Sequence, residues 1–202
     1  AGATGSTLSL TNVAPSDAAD YMVAVSNGAG RVESNLIALN VIQPVVIVSQ
    51  PAAAVAAIGD KAVFGVSVTG SLPISYQWEF NGEPLANQSA AKLVIENVSL
   101  VDGGTYTVTA TNASNSVESE GVELTILTPP IITEIVENQQ VAVGETVNLW
   151  LTAVGTAPLV YQWKLEGVVI SDGTGESIEL TGVNSLDAGQ YTVEISNSAG
   201  SI

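Results

Sequence analysis

The chain has 202 residues, 46% of them hydrophobic, with 20 acidic against 4 basic side chains and a net charge of −16. Aliphatic content this high excludes a disordered chain, and so few Lys and Arg argue against nucleic acid or an anionic membrane surface as partner. With neither cysteine nor histidine present, Cys/His zinc or iron–sulfur sites and Ser-His-Asp or Cys-His catalysis are excluded.

In chain order, residues 1–43 offer Leu8, Leu10 and Val13 as one short strand. Tyr21 and Val23 mark another, and a closing strand runs to about Gln43. Residues 44–128 carry more. Val45–Val48 reads as a strand after Pro44, with Pro51 interrupting it as edge strands allow. Gly59-Asp60 marks a turn. Ala62, Phe64, Val66 and Val68 then alternate with outward positions, as a half-buried strand requires. Tyr76, Trp78 and Phe80 alternate likewise and end at Asn81-Gly82, a pair suited to positive φ at both central turn positions. Leu93, Ile95 and Val98 lead into a corner, Thr105–Asn112 is a strand, and Val117–Leu127 is expected as the last one.

Residues 129–202 repeat this grammar. Val147, Leu149, Leu151 and Ala153 stand for the first alternating run, Tyr161 and Trp163 for the second. Ile178, Leu180 and Val183 precede the corner. The aspartates Asp17, Asp102 and Asp187 lie 85 residues apart, each four places before a tyrosine: Tyr21, Tyr106 and Tyr191. Trp78 and Trp163, Pro44 and Pro129, and Gly59 and Gly144 keep the same period. Self-similarity of this kind marks a tandem array. About seven short strands per period, without helical periodicity, describe an all-β chain of tandem β-sandwiches. The division expected is 1–43 as the C-terminal half of a repeat, 44–128 as a complete one, and 129–202 as one lacking its last strand.

These residues resemble the immunoglobulin superfamily, nearest to its I-set pattern, in the disulfide-free form of repetitive bacterial surface proteins. Asp102-x-Gly104-x-Tyr106-x-Val108 is similar to the family's D-x-G-x-Y-x-C motif. The resemblance implies a Greek-key immunoglobulin-like sandwich in which Tyr106 forms a tyrosine corner. It also implies that Val66 and Val108 stand in the two cysteine places and that Trp78 is the core tryptophan. Leu151, Trp163, Asp187, Tyr191 and Val193 take these roles in the third repeat. The first keeps Asp17, Tyr21 and Val23 but has Ala19 where the motif glycine belongs. Without a disulfide, which contributes about 2–4 kcal/mol, burial of aliphatics around the indole must hold each repeat together.

The outward position of Trp150, between inward Leu149 and Leu151, marks it as a candidate contact. An exposed tryptophan can anchor a protein or stack on a sugar, or pack on a neighbouring strand or repeat. Glu134, Glu137, Asp172 and Glu176 could offer oxygen ligands to calcium, but their counterparts at the first joint include Ser49 and Ala52. Asn87, Asn97 and Asn112 each begin an Asn-x-Ser glycosylation triplet. No catalytic, cofactor or metal site is expected.

The chain starts and stops inside a repeat, as a window on a longer array would. Alternatively, strand addition by a neighbouring molecule completes its open edges. The short proline joints suggest a semi-rigid rod. The expected function is a non-catalytic stalk, fibre or filament segment of a secreted or cell-surface protein whose partners are neighbouring repeats or copies of itself. An adhesin or accessory module binding protein or glycan is the alternative.

Overall fold

The computed structural model describes residues 3–202. It is all-β, with 46% strand and 3% helix. Two compact units form. One comprises the stretch up to Pro51, Gly65–Leu93 and Tyr106–Gly121; the other comprises Ala52–Phe64, Val94–Thr105 and Val122–Ile202.

Within the second unit, residues 131–202 form a two-layered sandwich. Ile131–Ile135, Val147–Val154 and Ser177–Leu180 make one antiparallel sheet, with a bulge between Ile132 and Glu134. Val168–Val169, Val160–Leu165, Tyr191–Asn197 and Gly200–Ser201 make the other. The chain visits the first sheet twice, crosses to the second, returns for Ser177–Leu180, and crosses again, which is Greek-key order. Alternation explains the closure. Leu151 and Ile178 of one sheet bury against Tyr161, Trp163 and Ile195 of the other, with Leu149, Ala153 and Leu180 half-buried beside them. Leu165 turns into Val168 through Glu166-Gly167, both at positive φ (49° and 80°), the geometry a two-residue hairpin needs. Elsewhere in this unit, Val122–Leu127 runs parallel to Ala54–Ala57, and Leu124 is only 1% exposed.

In the first unit, Ser75–Phe80 pairs antiparallel with residues 106–111, placing Trp78 opposite Val108. Asn81-Gly82 closes the adjoining hairpin with φ of 50° and 83°. Val46–Ser49 pairs with Ser67–Thr69. Phe80 and Tyr106 stack at a centroid distance of 4.9 Å.

Three expectations need correction. Leu8, Leu10 and Val13 form no strand and are exposed. Ser177–Leu180, the period-related segment, pairs with Val147–Val154, and residues 1–43 contain no counterpart of that partner. The stretch folds instead as two short ladders, Ala19–Tyr21 with Ile37–Leu39 and Ala24–Asn27 with Gly30–Glu33. For the same reason Val23, expected in a core, is 50% exposed, because no second sheet covers it. Finally, Val117–Leu127 is two strands, Ser116–Glu118 and Val122–Leu127. Ser119 turns inward between them. Its N–H donates to Val108 O (2.9 Å) and its Oγ accepts the Val108 N–H (3.0 Å), which ends that ladder.

Candidate functional site

The indole seat is the most closely repeated constellation. Trp78 is 0% exposed and Trp163 is 2% exposed. Each donates its Nε1–H to a carbonyl twelve residues on, Ala90 for Trp78 and Gly175 for Trp163, both at 2.9 Å. Each accepts from the strand-following backbone, Leu85 N–H to Trp78 O (2.8 Å) and Ile170 N–H to Trp163 O (2.9 Å). The preceding glutamine locks that loop. Gln77 Nε2 donates to Trp78 O and Leu85 O, and Gln162 Nε2 to Trp163 O and Ile170 O. Val193 faces Trp163 in register as Val108 faces Trp78. At Gly173 any Cβ would lie 2.8 Å from the Trp163 Cβ, so only glycine lets the loop close over this tryptophan.

The corner aspartates act on their own turn. Asp17, Asp102 and Asp187 accept the N–H of Ala14, Ser99 and Asn184 respectively, at 2.8, 2.8 and 2.9 Å. Asp102 also takes the Ser99 hydroxyl (2.6 Å) and Asp187 the Asn184 amide (2.7 Å). The Tyr21 hydroxyl donates to Asp17 O (2.7 Å) and the Tyr191 hydroxyl to Asp187 O (2.8 Å), tying each strand back to its corner. Burial, then the Asp187 carboxylate, pushes the Tyr191 hydroxyl above the ordinary tyrosine value of 10.0. These are structural tasks.

Of the other expected core positions, Val66, Tyr106, Val108 and Leu151 are buried, whereas Tyr21, Tyr191 and Val193 are half-buried. Trp150 is 38% exposed. It pairs with Ser177 across the sheet and its carbonyl accepts the Val136 N–H at 2.9 Å. Burial, then the hydrogen bond its hydroxyl donates to Glu176 (3.1 Å), raises the pKa of Tyr161. Among the described residues no three acidic side chains converge as a cation cage. Lys61 pairs with Glu96 and Lys164 with Glu194, both on the surface, and Lys164 holds the Glu194 carboxyl below its ordinary value.

Sequence reasoning passed over the glutamines and the set Asn27, Asn112 and Asn197, of which it named Asn112 only as the start of a glycosylation triplet. Their spacing of 85 residues was the available signal. In each hairpin the Oδ1 accepts a turn N–H: Ala29 for Asn27, Ser114 for Asn112, and Ala199 for Asn197, at 2.8 to 2.9 Å.

Fold and geometry define a tandem of immunoglobulin-like sandwiches. Residues 45–126 and 130–202 match the immunoglobulin I-set domain, and the chain belongs to that family. The mouse basement membrane-specific heparan sulfate proteoglycan core protein is 31% identical over 96% of this chain, which spans 6% of that protein. A muscle M-line assembly protein of Caenorhabditis elegans is 26% identical over 96% of this chain, which spans 3% of it. An I-band fragment of titin, 25% identical, superposes with a TM-score of 0.74 over 94% of this chain and 73% of that one.

Proposed function

We propose that the chain is a non-catalytic structural segment of a larger secreted or cell-surface protein, divided into 1–43, 44–128 and 129–202. The observation that carries this reading is the reproduction, 85 residues apart, of the indole seat and the corner hydrogen bonds. Duplicated geometry of this kind serves stability, whereas a catalytic site would set one copy apart. Basement membrane and muscle M-line assembly, in the relatives' names, support a load-bearing or spacing role. The relatives named are animal proteins, which lends no support to a bacterial source. Single-molecule extension tests the proposal. Each matched repeat of 82 or 73 residues should rupture as a separate event, releasing roughly 240–290 Å of chain. Extension without discrete events sinks it.

The partners in this reading are neighbouring repeats or copies of the chain. A groove of about 670 Å³, lined by Val141, Val147, Leu149, Val183 and Tyr191 among others, supports strand addition by another copy. At the period-related place Val122–Leu127 lies beside Ala54–Ala57. Sedimentation should show concentration-dependent self-association; a monomer at every concentration opposes it. The second reading, a module contacting protein or glycan, is favoured by outward Trp150, where Gly65 stands one period earlier. Glycan-array binding abolished by Trp150→Ala with unchanged folding would establish it, and an array on which wild type binds nothing would remove its glycan form.

A further inference from the structure

We infer that Asn112 and Asn197 are latches that fasten the residue ahead of each joint proline into the repeat that follows. The carbonyl half of each side chain is committed to its own hairpin, Asn112 Oδ1 to the N–H groups of Ser114 and Asn115 and Asn197 Oδ1 to that of Ala199. That commitment orients the NH₂ group the other way. Asn112 Nδ2 donates to Gln43 O (2.8 Å) and Ser71 O (3.0 Å). Asn197 Nδ2 donates to Thr128 O and Thr156 O, both at 2.8 Å.

The residues so gripped are themselves paired. Ser71 N–H donates to Gln43 O (3.1 Å) and Gln43 N–H to Ser71 Oγ (2.9 Å). Thr156 N–H donates to Thr128 O (3.0 Å) and Thr128 N–H to Thr156 Oγ1 (2.8 Å). Gln43 and Thr128 immediately precede Pro44 and Pro129. The close approach needs the glycine before each hydroxyl residue. Gly70 and Gly155 have φ of +145° and +157°, and a Cβ there would sit 2.9 Å from Pro44 O and 3.0 Å from Pro129 O. The latch is therefore written as four period-matched parts: asparagine, Gly-Ser or Gly-Thr, a joint proline, and the residue before it.

Its consequence is a joint without slack. The residue before the proline belongs by sequence to one repeat and by hydrogen bonding to the next, so tension along the chain meets three bonds at Gln43 before it reaches a strand. It also bears on modification. Asn112 begins an Asn-Ala-Ser triplet, yet both hydrogens of its amide are in use, so a glycan on Asn112 and an intact latch exclude each other. Asn87 and Asn97 are exposed and make no such bonds. The geometry holds whether or not the parent protein is structural, so a failure of the latch leaves that reading untouched.

Hydrogen exchange by NMR on the 202-residue chain tests it. Asn112→Asp keeps an Oδ1 for the hairpin but turns a carboxylate oxygen towards two carbonyls. The Ser71 amide should exchange at least tenfold faster in this variant, with the Trp78 and Thr156 amides unchanged. Asn197→Asp should do the reverse, accelerating Thr156 alone. Should the variants fail to fold, the wild-type side-chain amide protons suffice: those of Asn112 and Asn197 exchange at least tenfold slower than those of Asn87 and Asn97. Unaltered Ser71 exchange in folded Asn112→Asp, or equal rates among the four asparagines, overturns the latch.

Discussion

Truncating the buried indole tests the packing directly. Trp78 is fully buried, and it faces Val108 across the adjoining strand. Trp78→Ala removes an aromatic ring from a packed interior, a change that costs about 3–5 kcal/mol. The lost Nε1–H bond adds about 0.5–1.5 kcal/mol and no more, because Ala90 is exposed and water can take its carbonyl. Trp78→Phe keeps an aromatic ring but sacrifices that bond, for about 0.5–1.5 kcal/mol plus a smaller packing loss. A domain is typically stable by only about 5–15 kcal/mol, so the alanine variant forfeits a large share of the total. Urea titration followed by circular dichroism reads the difference as a shift in midpoint at constant slope. The expected order is wild type, phenylalanine, alanine. An alanine variant that unfolds within about 1 kcal/mol of wild type would refute the reasoning, as would a phenylalanine variant less stable than alanine.

Other outcomes follow from the same geometry. Tyr191→Phe deletes the bond to Asp187 O and should lower stability by about 0.5–1.5 kcal/mol, measured by the same titration. Gly70→Ala places a methyl 2.9 Å from Pro44 O at φ of +145° and should cost about 1–3 kcal/mol, whereas Gly28→Ala, with no atom within 4 Å, should leave the midpoint in place. Tyr161 and Tyr191 have hydroxyl pKa values raised above 10.0 in the folded chain. Unfolded tyrosine ionises first as pH rises, so their stabilisation is complete below about pH 10 and disappears above it. Thermal melting should therefore fall more steeply above pH 10 in wild type than in the double variant Tyr161→Phe, Tyr191→Phe.

Much of the fold was legible because one period carries both its pattern and its punctuation. Trp78 and Trp163 recur with alternating neighbours, and burial of Leu151 with Trp150 outward follows from alternation alone. Asn81-Gly82 announced its hairpin for a stereochemical reason. What stayed hidden depends on partners remote in sequence. Leu8 and Leu10 alternate as a strand should, yet alternation cannot tell that no sheet lies opposite, and Val23 is exposed for the same cause. The break at Ser119 arises from a side chain bonding back to Val108, which no local pattern records. Gln77 and Asn112 were visible as periodic residues, but their bonds reach Leu85 and Gln43, and spacing does not reveal which backbone groups a side chain will meet.

Slow amide exchange mapped along the 202-residue chain tests the central claim, one sandwich grammar written more than once, most directly. Protection should come in pairs: Gly59 with Gly144, Trp78 with Trp163, Leu85 with Ile170, and Val98 with Val183, each N–H being bonded to the matching carbonyl. Several pairs in which one amide is slow and its counterpart exchanges freely would contradict it.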